Sequence, residues 1–251
     1  MKARIISLEN QIERRKKMES LMSSANLDWS FFSAISGKDI NFSHPNYDRR
    51  KRLKFPGHDL TPNEIACFLS HRSLWIECAS QEENYLILED DAYGLRDYAL
   101  ADEMKSFLNL IEVSVENGYV VRLGNGGYRK VFKKIKNINE EFKLVRYKKD
   151  PLCALAYVIS PKTARKLIEK SEKFYLPVDD FMWNTNESGC VVLDVDPYFL
   201  YAPLEDNPST IGCRKKPKQG LIKKLFREAN RFLYQTKLLS CEYFIYFFKK
   251  I

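Results

Sequence analysis

Residues 85–91 read Tyr-Leu-Ile-Leu-Glu-Asp-Asp, an apolar run that stops on three carboxylates. Tyr85–Leu88 has the length and apolar character of a buried strand. Carboxylates at such a place are costly unless paired or bound to a cation. Glu89, Asp90 and Asp91 therefore imply something positive beside them. In an open α/β sheet the crevice beyond the carboxyl ends of the strands is where ligands bind. A hard divalent cation, Mg²⁺ or Mn²⁺, favours carboxylate oxygens and often bridges them to a substrate phosphate. The competing reading of an isolated Glu-Asp-Asp is a solvated acidic turn.

Upstream, Thr61-Pro-Asn-Glu64 carries the signals of a helix start: a capping threonine, proline in the first turn, and glutamate three residues on. Ile65, Phe68, Leu69, Ile76 and Ala79 then recur at helical spacing, with Trp75 beside them. Arg4–Leu8 reads as an opening strand, 10–25 as a helix with a basic block at 14–17, and Trp29–Ile35 as a second strand. The polar stretch 36–59 reads as a long loop, and Asp48-Arg-Arg-Lys-Arg52 within it as a solvated charge run. Downstream, a helix is expected over 99–116 and strands over 118–123, 142–147, 154–159 and 191–195. A short helix begins at Pro161, and an extended aromatic segment spans 197–203. Strand–helix alternation favours an α/β class. Gly124-Asn-Gly-Gly127 lacks both dinucleotide-fingerprint spacing and a P-loop lysine, so it reads first as a turn.

The length of 251 residues suits one large α/β domain or two small ones, and 45 % hydrophobic residues can supply a core. Six cysteines are scattered, with no Cys-x-x-Cys pair and no short Cys/His cluster to suggest zinc. Cys67, Cys153 and Cys190 lie in apolar stretches and read as small buried hydrophobes. The first residues hold too short an apolar core for a signal peptide, and no run is long enough to span a membrane. A reduced, cytoplasmic protein is expected.

The net charge of +8 is unevenly spread. Residues 214–251 contain eleven Lys/Arg against two Glu, a net +9, which leaves −1 for residues 1–213. A near-neutral body argues against nucleic acid as a partner. Two regions follow: a near-neutral domain over 1–213 and a basic helical tail over 214–251. In the tail, Leu221, Ile222, Leu225, Phe226, Ala229, Phe232 and Leu233 share one face, opposite Lys223, Lys224, Arg227 and Arg231. That pattern fits a helix lying on a membrane surface, or one packed on the body or on another copy.

A second acidic pair, Asp179-Asp180, interrupts apolar residues after Pro177. Sugar transfer from a nucleotide-sugar needs a cation on the departing diphosphate. It also needs a carboxylate to take the proton of the attacking hydroxyl. One acidic cluster can serve each task. Helix capping is the other reading of Asp179-Asp180.

The ordered motifs resemble glycosyltransferase family 25, the lipopolysaccharide and lipooligosaccharide galactosyltransferases related to collagen galactosyltransferases. The resemblance rests on five stretches: Ile6-Ser-Leu8 with Arg14-Arg15; Leu60–His71; Leu86–Asp91; Ala156–Ser160 with Ala164; and Pro177–Asp180 with Ser209-Thr-Ile211. Asn63 and Ala66 replace two glycines of the family's Gly-Glu-Ile-Gly-Cys-x-x-Ser-His segment. The resemblance covers 4–212 and implies a GT-A-like nucleotide-sugar-binding fold around a mixed, mostly parallel sheet. It implies Mn²⁺ or Mg²⁺, a UDP-sugar donor and inversion at the sugar carbon. Carried over by residue, Asp91, Glu89 and Asp90 are metal candidates, and Asp179 and Asp180 are candidates for the base. Ser7, Leu8, Arg14, Arg15, Glu64, Ser70, His71, Glu89 and Asp90 are donor-binding candidates.

Two alternatives stay open at this point. Arg14 and Arg15 can contact the donor or lie on a solvated helix face, and His71 can approach the donor or be a satisfied structural histidine. No histidine follows Asp91, so a late metal ligand would be Asp194, Asp196, Asp206 or Asn207. The implied activity is β-galactosyl transfer from UDP-galactose to a lipid-linked saccharide of bacterial lipooligosaccharide, on the cytoplasmic face of the inner membrane. A metal-dependent nucleotidyltransferase and a silent membrane-associated binding module are the rival readings.

Overall fold

The structure, a computed structural model, describes residues 1–23, 25, 27–54, 58–94, 100–125, 131–147 and 153–201. The basic tail at 214–251, Gly126-Gly127, Asp206, Asn207 and Ser209-Thr-Ile211 lie outside them.

The chain opens with strand β1 (Lys2–Ser7), helix α1 (Ile12–Ser23) and strand β2 (Asp28–Ser33), followed by short helix α2 (Arg49–Lys54). Helix α3 (Pro62–Gln81) leads into β3 (Tyr85–Glu89) and the two-residue strand β4 (Tyr93–Gly94). Helix α4 (Leu100–Glu116) precedes β5 (Tyr119–Arg122), β6 (Gly124–Asn125), β7 (Val131–Asn137), β8 (Lys143–Tyr147) and β9 (Ala156–Ile159). Helices α5 (Pro161–Lys170), α6 (Val178–Met182) and α7 (Thr185–Ser188), then strands β10 (Val191–Asp196) and β11 (Leu200–Tyr201), follow.

Eight strands form one sheet in the order β2-β1-β3-β9-β5-β10-β8-β7. The α/β expectation with a mixed sheet is met. Its proportion is corrected: three pairings are parallel and four antiparallel. The reason is local. Strand β9 enters antiparallel between β3 and β5, and β7–β8 is a hairpin.

Side-chain alternation across the sheet decides what meets what. In β3, Tyr85 and Ile87 pack into the core on the α3 side, while Leu86 and Leu88 pack into the core shared with α1 and α4. Burial on both faces is why this strand reads as an unbroken apolar run. In β9, Tyr157 and Ile159 face the α3 side, and Ala156 and Val158 the other. In β1, Ile6 faces α3 while Ala3 and Ile5 face α1. By the same parity Glu89 projects toward α3, and Ser7 and Asp90 project toward α1.

Helix α3 starts as expected. Thr61 Oγ1 accepts from Glu64 N–H at 3.2 Å and Glu64 Oε2 accepts from Thr61 N–H at 2.7 Å, a complete capping box. Its buried face differs in one place: Trp75 is fully buried, while Ile76 is 44 % exposed. The stretch 36–59 is not all loop. Helix α2 forms there, with Asp48 Oδ1 accepting from Lys51 N–H at 2.9 Å. The charge run is not all solvated either. Arg52 is 2 % exposed and donates to the carbonyls of His58 at 2.9 Å and Tyr175 at 3.4 Å. A cation buried among carbonyls is costly to remove, because its acceptors lose their partners. Arg52→Ala is expected to destabilise by about 2 kcal/mol, whereas Arg50→Ala at an exposed position on the same helix should change thermal stability little. Chemical denaturation of the two variants measures the difference.

Candidate functional site

The carboxyl ends of β1 and β3 lie side by side, with Ile6 in register with Glu89. The amino end of β9 meets them there: Leu88 pairs with Ala156, and Glu89 N–H donates to Leu155 O at 2.8 Å. Ser7, Glu89 and the Cys153–Leu155 segment therefore share one edge of the sheet.

On the α1 side the positive partner implied by the acidic run is present. Arg14 Nη1 donates to Asp90 Oδ1 at 2.9 Å, and Ser7 Oγ donates to Asp90 Oδ2 at 2.7 Å. Arg15 Nε donates to Ser7 Oγ at 3.3 Å and its Nη2 to Ser7 O at 3.2 Å, with the guanidinium over the Phe31 ring. The solvated-face alternative for these arginines is thus excluded for Arg14, whose side chain is 11 % exposed. Leu8 contributes backbone: its carbonyl accepts from Gln11 N–H at 3.0 Å and starts the turn into α1.

Asp91 is different. Its Oδ1 is buried and has no hydrogen-bond partner, and its Oδ2 is 4.0 Å from Arg14 Nη1. Burial pushes its carboxyl up to about 7, the charge of Glu89 adds to this, and Arg14 opposes it. A buried carboxylate oxygen with no donor, next to a second carboxylate, is a cation-shaped deficit. Glu89 and Asp91 fit a hard divalent cation. Asp90 contributes by fixing Ser7 and Arg14, since each of its oxygens already accepts a hydrogen bond.

On the α3 side a single-direction hydrogen-bond chain ends on Glu89. Trp75 Nε1–H donates to Tyr157 Oη at 2.9 Å. Tyr157 Oη lies 2.8 Å from His71 Nδ1, and His71 Nε2 lies 3.2 Å from Glu89 Oε1. Indole only donates and carboxylate only accepts. In the neutral imidazole Nε2–H donates to Glu89, which leaves Nδ1 to accept from Tyr157. His71, fully buried, is a satisfied histidine, and its Nε2 faces Glu89 of the acidic cluster. Ser70 and Glu64 are tied locally. Ser70 Oγ donates to Ala66 O and accepts from Ile35 N–H, both at 2.9 Å, while Glu64 holds the cap of α3.

Helix α6 brings the second acidic pair to the same edge. Its N-cap is Pro177, with no side-chain capping bond, so Asp179 and Asp180 lie inside the first turn rather than capping it. Asp179 Oδ2 accepts from Cys153 N–H at 3.1 Å, and Oδ1 accepts from Asp180 N–H at 2.9 Å. Trp183 Nε1–H donates to Cys153 O at 3.0 Å. Cys153 is thus held from both sides of its peptide in the left-handed region, at φ 71°. A non-glycine residue there costs about 1–3 kcal/mol and persists only where its surroundings enforce it. Asp180 is exposed.

Both acidic clusters converge on Cys67. Burial pushes its thiol well up, and the charges of Glu89, Asp179, Asp91 and Glu64 push it further. Cys67 is half-buried, as is Cys153, and only Cys190 is the buried hydrophobe expected of all three. The sequence reading missed Cys67, Trp75, Cys153 and Tyr157 as site components. One signal existed: Cys67 and His71 stand four apart on a helix, hence on one face. Asp194, a candidate late ligand, is buried and bound by Arg122 Nε at 2.5 Å.

The family model for glycosyltransferase family 25, described as an LPS biosynthesis protein family, matches residues 1–182. The chain belongs to glycosyltransferase family 25. A family 25 member of Drosophila pseudoobscura pseudoobscura is 36 % identical over 96 residues, covering 35 % of this chain and 15 % of that protein. Procollagen galactosyltransferase 1-B of Xenopus laevis is 28 % identical over 193 residues, covering 71 % of this chain and 30 % of that protein. The chain thus spans less than a third of the length of these relatives. Among solved structures, a CTP:phosphocholine cytidylyltransferase from Streptococcus pneumoniae aligns at TM-score 0.36 and 10 % identity, covering 80 % of this chain and 92 % of that one. Among the described residues, no helix is long and apolar enough to cross a membrane.

Proposed function

We propose that this family 25 chain is an inverting, divalent-metal-dependent galactosyltransferase. It takes galactose from UDP-galactose and delivers it to a saccharide of bacterial lipopolysaccharide or lipooligosaccharide. The observation that carries the metal requirement is the partnerless buried Oδ1 of Asp91 beside Glu89. The galactosyl donor is supported by the procollagen galactosyltransferases among the relatives. The acceptor class is supported by the description of the family.

Asp91 and Glu89 would hold Mn²⁺ or Mg²⁺, which supplies charge neutralisation for the departing diphosphate. Arg14, anchored on Asp90, presents its guanidinium at the rim of the same cluster and suits a phosphate oxygen. Asp179 is the base. Two backbone N–H groups orient its carboxylate, and remaining lone pairs can take the acceptor's hydroxyl proton. Asp179 reaches the same edge of the sheet from α6, through Cys153. A lipid-linked acceptor agrees with the apolar and basic faces of 214–251, which would dock the enzyme on the cytoplasmic surface of the inner membrane.

A nucleotide-release screen across UDP-sugars, with a lipooligosaccharide acceptor and with Mn²⁺ present or absent, tests this reading. UDP release with UDP-galactose, dependent on Mn²⁺ and acceptor, is the expected outcome. Turnover untouched by chelation would overturn the metal assignment, and pyrophosphate release from a nucleoside triphosphate would overturn the reaction class.

A further inference from the structure

Cys67 and His71 stand one turn apart on α3, facing the end of β3. Cys67 Sγ, a ring nitrogen of His71 and a carboxylate oxygen of Glu89 all lie within 4.8 Å of one another. We propose that these three side chains form a binding site for a thiophilic divalent cation of the Zn²⁺ class, distinct in ligand set from the hard-cation site on Asp91. The fourth position is left to water.

The geometry suits such an ion. Tetrahedral zinc with Zn–N and Zn–O bonds of about 2 Å sets its nitrogen and oxygen ligands roughly 3.3 Å apart, and His71 Nε2 lies 3.2 Å from Glu89 Oε1. A Zn–S bond of about 2.3 Å would be reached by a side-chain rotation at the half-buried Cys67. The chemistry suits it as well. Thiol and imidazole select zinc over Mg²⁺ or Mn²⁺, which prefer oxygen. The surrounding carboxylates Glu89, Asp179, Asp91 and Glu64 disfavour a bare thiolate and favour a cation next to it.

The protons balance. Binding expels the Cys67 proton to solvent. The Nε2 proton of His71 leaves, and Nδ1 takes one in its place, so the ring changes tautomer without net loss. Nδ1–H then donates to Tyr157 Oη, which already accepts from Trp75, and the phenol O–H rotates away from the imidazole. A phenol oxygen can accept both. A histidine that ligates through one nitrogen and donates through the other is the usual arrangement at zinc sites. One proton is released per ion bound.

Glu89 belongs to both sites. This consequence rests on the proposed function: zinc at Cys67 and His71 draws Glu89 away from the donor-side cation, so low zinc would inhibit Mn²⁺-dependent transfer.

Cobalt titration of the metal-free full chain tests the site without turnover, so it stands apart from the outcome of any sugar-transfer assay. A thiolate-to-cobalt charge-transfer band in the near ultraviolet, saturating at one ion per chain and displaced by Zn²⁺, is expected. Cys67→Ser should lose the band and weaken zinc binding at least about tenfold, with thermal melting confirming that the variant is folded. Asp91→Asn should keep the band. No band in the parent chain, a band surviving in Cys67→Ser, or a band lost in Asp91→Asn would each overturn the proposal.

Discussion

Asp91→Asn should lower divalent-dependent sugar transfer by at least about a thousandfold while making the metal-free protein more stable. The two effects share one cause. Asp91 is half-buried, its Oδ1 fully buried without a donor, and it repels Glu89. Without a cation that arrangement opposes folding, since burial penalises the charged form. An amide of the same shape removes the charge and the repulsion. A gain of about 1 kcal/mol, or a few degrees in Tm at this chain length, is expected in chelator at pH 8. Added Mn²⁺ should stabilise the parent by mass action and leave the variant unmoved. Differential scanning calorimetry with and without Mn²⁺, beside a transfer assay, reads all three quantities. A variant destabilised in chelator would mean that Asp91 is held by a contact rather than waiting for a cation. Most substitutions of buried polar groups destabilise, so the sign of the change is the informative part.

Strand β3 was legible because both its faces are buried, which compresses its sequence into Tyr-Leu-Ile-Leu. The step from apolar to acidic marked the functional edge for the same reason. What each carboxylate does was not legible. Glu89 and Asp90 are neighbours in sequence yet project to opposite faces of the sheet. One meets His71 on α3 and the other meets Arg14 on α1. Only the register of β1 on β3 and the packing of two helices separate their roles. Tyr157 is 86 positions from the histidine it orients, and no local pattern announces such a contact.

Two elements escaped for other reasons. Strand β7 carries Lys133, Lys134 and Lys136 at the sheet edge, where lysines deter edge-to-edge association and also erase the apolar signal. Arg52 lay in a run of charges whose other members Arg49 and Arg50 are exposed, so composition pointed to solvent. Burial of one cation in five residues is decided by the carbonyls of His58 and Tyr175, which sequence does not place.

With Asp179 as the proposed base, Asp179→Asn is the second large effect expected: a fall in kcat of about a hundredfold or more, with little change in the binding of the nucleotide-sugar donor. In the native site both Asp179 oxygens accept backbone N–H groups. An asparagine can satisfy one of them with its carbonyl, while its NH₂ faces the other. One lost hydrogen bond costs about 1 kcal/mol, too little to unfold a domain whose α6 is also anchored by Trp183 on Cys153 O. Structure and donor binding should therefore survive while proton removal from the acceptor does not. Asp180→Asn is the matched control, because Asp180 is exposed and its backbone N–H, not its side chain, supports Asp179. Donor affinity by calorimetry and kcat at saturating acceptor divide the outcomes. If Asp180→Asn loses the activity and Asp179→Asn keeps it, the proton passes to the exposed carboxylate, and Asp179 serves only to hold Cys153 in its left-handed turn.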